Sequence, residues 1–182
     1  MIMSRTKICI FRRPFSYIGL WNLNIIKEHI MLSMDDLRYT ADLPYPPIKV
    51  EMKNPAYAKA MLDNIGGLNS EMSAISLYVY NNLILEEKKE IAAIFHKVSI
   101  VEMHHLEIFG KLALQLGEDP RMWTHYGCKK TYWSPSYNQY PCELPALMHN
   151  AINSEKAAIS KYQHQIAYIR DENITEILRR II

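Results

Sequence analysis

The chain has few cysteines. Cys9, Cys128 and Cys142 are the three in 182 residues, and no C-x-x-C pair occurs. That excludes a rubredoxin-type iron site or a zinc ribbon built from this chain. Three scattered cysteines fit free thiols in a reducing cytoplasm better than a secreted disulfide framework, with a Cys128–Cys142 bridge as the alternative. An excess of one charge is also lacking. Lys and Arg number 21 against 19 Asp and Glu, a formal net charge of +2. Such a balance gives no strong pull towards nucleic acid or an acidic membrane, and neither is expected as a partner. No apolar run approaches the roughly 20 residues needed to span a bilayer. Signals for β-structure are scarce too, with few alternating runs and no hairpin turns.

What is present describes an ordinary globular composition, 49% hydrophobic and 22% charged, long enough for one domain with a real core. The first thirty residues are basic and partly apolar. Arg12, Arg13 and Pro14 interrupt them, which makes a poor signal peptide. Translation starting at Met31 or Met34 is the alternative. Residues 1–53 read as an N-terminal extension, with an extended lead-in around the PYPP at 44–47, and residues 54–182 as a helical bundle domain. Asn54 followed by Pro55 is a helix start, and Gly66-Gly67 punctuates a short helix. From Leu68, a stripe through Glu71, Met72, Ile75, Tyr78, Val79 and Asn82 repeats at three and four. A second helix runs from Ile91 to Leu116, ended by Gly117 with Pro120 beyond. Residues 118–143, dense in Pro, Tyr and Trp, hold no period and suit a crossover along a bundle. A third long helix carries Leu144, Leu147, Met148, Ala151, Glu155, Ala158, Ile159, Tyr162, Ile166 and Ile169. Asn173, with Glu176 returning the bond, is expected to cap a fourth helix that is incomplete at Ile182. The fold class is therefore all-α: a four-helix bundle with a long crossover between its second and third helices.

One short stretch is written twice. NSEMSAISLY at 69–78 returns as NSEKAAISKY at 153–162, identical at seven of ten positions. Each copy places a glutamate on the core stripe, Glu71 and Glu155. The second helix places Glu102 and His105 there, i and i+3 on one face. Burying a lone carboxylate is expensive unless it is paired or binds a metal. Di-iron and di-manganese bundles use this arrangement: a Glu from each of two helices plus Glu-x-x-His from each of the other two. The repeat reads as a duplicated helical hairpin. Glu102-x-x-His105 follows Glu71 by 31 residues, and the same offset from Glu155 puts a second Glu-x-x-His near position 186, beyond Ile182.

Residues from about 54 to 182 resemble the ferritin-like superfamily, specifically rubrerythrin-like and manganese-catalase-like proteins. The stretches NIGGLNSEMSAISLYVYNN, SIVEMHHLEIFGKLALQLG, YWSPSYNQYP and ILRRII carry the resemblance. It implies a di-metal carboxylate oxidoreductase holding two iron or two manganese ions on Glu71, Glu102, His105 and Glu155. It also implies peroxide or dioxygen as the small oxidant, peroxide reduction or disproportionation as the reaction, and a homo-oligomer. The likeness is good over three helices and departs at the fourth, where Glu-x-x-His is absent. The rubredoxin-like tail of full rubrerythrins is absent as well, so the electron donor is unknown. Small oxidants need only a narrow path, and no large pocket is expected.

Two other readings remain: an inactive fragment with a half-built site, or a metal-storage or structural protein, for example of a spore coat. For single residues the bland readings stand beside the sharp ones. An E-x-x-H on a helix is common by chance. Tyr78 and Tyr162 lie two turns along from Glu71 and Glu155; they either pack in the core or donate hydrogen bonds near the metals. His104 is solvent-facing or next to the ligands. His96, Glu86, Glu87 and Glu107 read as surface. The crossover either shapes a substrate mouth or covers apolar helix surface.

Overall fold

The structure, a computed structural model, describes Tyr39 and residues 42–182, all within one compact unit. Most of the expected N-terminal extension lies outside the described residues, with Cys9, Met31 and Met34. Among the described residues five α-helices follow one another: α1 (Pro55–Gly66), α2 (Glu71–Ile84), α3 (Lys89–Leu116), α4 (Leu144–Tyr168) and α5 (Glu172–Ile181). No helix among the described residues is long and apolar enough to cross a membrane.

The helix boundaries follow local chemistry. Asn54 caps α1 by accepting from the amides of Ala56 and Tyr57, with Pro55 at the first position. Ser70 caps α2 through the Ser73 amide. Gly117 ends α3 in the left-handed conformation, φ 101°. The cap of α5 is Asp171, which accepts from the Asn173 amide, and not Asn173 as its spacing to Glu176 suggested. Asp171 also accepts the Glu51 amide, so tertiary contact favours it. Gly66 and Gly67 do more than punctuate. A β-carbon on Gly66 would sit 2.5 Å from the Trp123 nitrogen, and one on Gly67 would sit 2.2 Å from Asp63 Oδ1.

Two apolar clusters form the core. Met61, Leu62 and Ile65 of α1 pack with Ile108, Phe109 and Leu112 of α3, and with Ile174, Ile177 and Leu178 of α5. Leu77 and Tyr78 of α2 pack with Ala92 and Phe95 of α3, and with Leu147 and Ala151 of α4. Helices α3 and α4 both pass from the second cluster into the first as their numbering rises. Two successive long helices running the same way need a return connection along the bundle, and residues 118–143 provide it.

That crossover is not wholly irregular. It holds a two-stranded antiparallel hairpin, β1 (Trp123–Tyr126) with β2 (Lys129–Tyr132), turned at Gly127 with φ 61°. This corrects the expectation of no hairpin. All four β2 residues are exposed, so no apolar alternation marked the strand. The crossover is pinned to α2: Trp133 Nε1–H donates to Ser73 Oγ at 2.9 Å, and Asn138 Nδ2–H donates to the Ser73 carbonyl at 2.9 Å. Cys128 and Cys142 are free thiols, not a bridge.

Candidate metal centre

Between the two apolar clusters lies a polar layer. On α3 it falls between Phe95 of one cluster and Ile108 of the other, and Glu102 and His105 occupy it. On α4 it falls between Ala151 and Tyr162, and Glu155 occupies it. Glu71 enters from the first turn of α2, directly after its Ser70 cap. The stripe of the sequence is thus kept through the layer but changes chemistry there.

One ligand atom each from Glu71, Glu102 and His105 lie within 4.8 Å of one another. All three side chains are buried, at 3%, 8% and 7% exposure. Glu155 is half-buried and outside that tightest group, though it lines the same cavity. Glu102 Oε2 lies 3.0 Å from His105 Nδ1. Burial, then the charge of Glu102 and a hydrogen bond to it, hold the Glu71 carboxyl well above the ordinary carboxylate range. Burial pushes Glu102 up as well, but hydrogen bonds from His105 and Glu71 outweigh it and leave Glu102 below that range. The two neighbouring carboxyls are thus pushed apart, Glu71 towards holding its proton and Glu102 towards losing it. Glu155 is raised by burial first and by the charge of Glu102 second.

The repeated tyrosines cross over. Tyr162, in the second copy, donates to Glu71 of the first at 2.5 Å. Tyr78, in the first copy, donates to Glu155 of the second. Both rings also pack, Tyr78 stacked on Phe95 and Tyr162 tilted against Phe109, so the packing and hydrogen-bonding readings both hold. Burial drives both phenols above their usual range, so both remain donors at neutral pH.

A cavity of about 700 Å³ opens onto these groups. Its size corrects the expectation of a narrow path. The α4 side of the wall mixes short side chains, Ala151, Ala157 and Ala158, with Met148, Ile159 and Tyr162. Ile91, Ile94, Phe95 and Val98 of α3 give it an apolar wall, and Tyr137, Asn138 and Gln139 of the crossover line it too. His104, His96, Glu86, Glu87 and Glu107 are exposed, as their positions off the stripe suggested. On α2 the buried face runs through Leu77 and Asn81, where the sequence stripe had Val79 and Asn82; Val79 is 43% exposed. Sequence reasoning missed Tyr45. Its hydroxyl lies 2.8 Å from His105 Nε2, across 60 residues of chain.

Two carboxylates and an imidazole, buried together, form the hard O/N donor set that suits manganese or iron. The family model described as manganese containing catalase matches residues 37–132, more than half of the chain. The chain belongs to the manganese-containing catalase family. The matched span holds Glu71, Glu102 and His105, and ends before Glu155. Protein CotJC of Bacillus subtilis (strain 168) is 24% identical over 159 residues, covering 78% of this chain and 82% of CotJC. Among solved structures, KatB, a manganese catalase from Anabaena PCC7120, superposes with a TM-score of 0.67 at 21% identity, covering 79% of this chain and 72% of KatB. Wild-type KatB from Anabaena gives the same figures. At that identity the likeness is one of fold, and the fold is the ferritin-like bundle expected from the sequence.

Proposed function

We propose that this protein is a manganese catalase: it disproportionates two molecules of hydrogen peroxide to two of water and one of dioxygen at a pair of manganese ions. The ligands are Glu71, Glu102, His105 and Glu155. The observation that carries the reading is the buried Glu71–Glu102–His105 group beside a cavity, in a chain of this family. Carboxylates buried side by side with no cation are costly, and the same crowding makes a good divalent site.

Bound there, paired manganese supplies the two-electron oxidation and reduction that disproportionation needs, so no separate electron donor is required. The chain's residues do the rest. Glu71 and Glu155, whose carboxyls burial holds above the ordinary range, lose protons to receive cations. Tyr162 and Tyr78 hold the Glu71 and Glu155 carboxylates in orientation through single hydrogen bonds. Ile91, Ile94, Phe95 and Val98 give the cavity beside the site one apolar side.

The test is oxygen evolution from hydrogen peroxide after loading with Mn(II), beside loading with Fe(II) and a His105→Ala control. Oxygen release from the manganese-loaded protein, lost in the control, is the expected result. Metal bound without oxygen release would support the storage or structural reading instead.

A further inference from the structure

The lead-in segment before α1 reaches the candidate metal centre through one side chain. Tyr45 sits in Pro44-Tyr45-Pro46-Pro47. A residue before proline is kept out of the helical region, and three prolines stiffen the stretch, so Tyr45 is presented from an extended backbone. The segment is fastened at three points. Arg180 Nε–H of α5 donates to the Leu43 carbonyl at 2.8 Å, Gln115 Nε2–H of α3 to the Ile48 carbonyl at 2.9 Å, and the Glu51 amide to Asp171 Oδ2 at 2.7 Å. Arg180 does a second thing: its guanidinium lies 4.1 Å from the centre of the Tyr45 ring, a cation–π contact. The edges of His104 and His105 meet the same ring, with centroids at 4.8 and 5.9 Å.

We propose that Tyr45 is a positioning residue for His105, setting the direction of its ring and partnering Nε2 in either tautomer, with Arg180 holding Tyr45 in place. The proposal rests on the reading of His105 as a ligand. The geometry supports it from both sides of the ring. Nδ1 faces Glu102 at 3.0 Å, within the carboxylate group, and Nε2 faces Tyr45 Oη at 2.8 Å. A neutral imidazole carries one N–H. With Nδ1 facing a Glu102 oxygen at 3.0 Å, a proton on Nδ1 is donated to that oxygen, and Tyr45 O–H then donates to Nε2. For Nδ1 to offer its lone pair to a cation, the proton must sit on Nε2, and Tyr45 Oη must accept it. A phenol can do either, whereas a phenylalanine can do neither. Partners of this kind fix the tautomer and orientation of metal-bound histidines, and losing one typically weakens metal binding about 10–100-fold.

Tyr45→Phe tests this, because it keeps the ring and its contacts with Arg180 and His104 and removes only the hydroxyl. Competition titration with Mn(II) is expected to show binding about 10–100-fold weaker than wild type, with the metal-free melting temperature little changed. Arg180→Gln is expected to weaken binding less, and to add little to Tyr45→Phe. Imidazole ¹⁵N spectra of the metal-free protein give a readout independent of metal: Tyr45→Phe should move the His105 Nε2 resonance and leave Nδ1 nearly in place. Wild-type affinity for Mn(II) together with unmoved His105 resonances in Tyr45→Phe would overturn the proposal. If Nε2 moves but wild-type protein binds no Mn(II), the hydrogen bond stands and the reading of His105 as a ligand fails, which overturns the positioning role with it.

Discussion

Replacing Glu71 by glutamine should push the stability of the metal-free and metal-loaded protein in opposite directions. In the metal-free protein Glu71 is 3% exposed, and its carboxyl is held above its ordinary range by burial first and by the Glu102 charge second. Its folded pKa exceeds its unfolded one, so the group withdraws stability as pH rises from the ordinary carboxylate range towards the folded value. Each unit of that rise is about 1.4 kcal/mol once the pH exceeds the folded pKa, or about 3–6 °C of melting temperature for a chain of this size. Glutamine removes the penalty yet keeps the contacts, since its amide can donate to Glu102 and its carbonyl can accept from Tyr162. Metal-free Glu71→Gln is therefore expected to melt above metal-free wild type at neutral pH. Mn(II) at a hundred times its dissociation constant should stabilise wild type by about 2.7 kcal/mol, roughly 5–11 °C, and should stabilise Glu71→Gln far less. Thermal unfolding followed by circular dichroism, with and without Mn(II), reads both effects. A variant that melts below wild type without metal and keeps the full Mn(II) shift would refute the reasoning.

Three further outcomes follow from the same geometry. Tyr162→Phe removes the donor to Glu71, and should weaken Mn(II) binding about 10–100-fold in competition titration while costing about 1 kcal/mol in urea unfolding. Mn(II) can bind only as the Glu71 and Glu155 carboxyls, both held above the ordinary range by burial first, give up protons. Affinity should thus rise with pH towards neutrality, and calorimetry in buffers of different ionisation enthalpy should detect proton release; binding without released protons would contradict the raised carboxyls. Gly67→Ala drives a β-carbon to 2.2 Å from Asp63 Oδ1 and 2.6 Å from the Asp63 carbonyl oxygen. Asp63 also accepts from Thr124 at 2.9 Å and lies 3.5 Å from Lys161, so the turn before Glu71 must shift. A loss of about 1–3 kcal/mol in urea unfolding, with weaker Mn(II) binding, is the expected result.

The sequence exposed the centre because burial and charge conflict there. Glu71, Glu102, His105 and Glu155 interrupt stripes that otherwise pack two apolar clusters, and helical spacing puts each of them on its own helix's core-facing side. The duplicated segment named Tyr78 and Tyr162, but not that each would bond the other copy's glutamate. That crossing depends on how α2 and α4 face one another, which no local pattern encodes. Tyr45 escaped because its segment has no period and its partner is 60 residues away. The β1–β2 hairpin escaped because its strands are four residues long and β2 is wholly exposed, so the apolar alternation that marks a strand is missing. The cavity escaped because its expected absence was argued from the small size of the oxidant, and its walls come from α2, α3, α4 and the crossover together, which no local pattern encodes.

Manganese content per chain, measured after loading with Mn(II) and exhaustive dialysis, with the electron paramagnetic resonance spectrum of the same sample, tests the central claim most directly. The account predicts two ions per chain with a spin-coupled signal, lost in Glu102→Ala. No retained manganese, or a single uncoupled ion that survives Glu102→Ala, would contradict it.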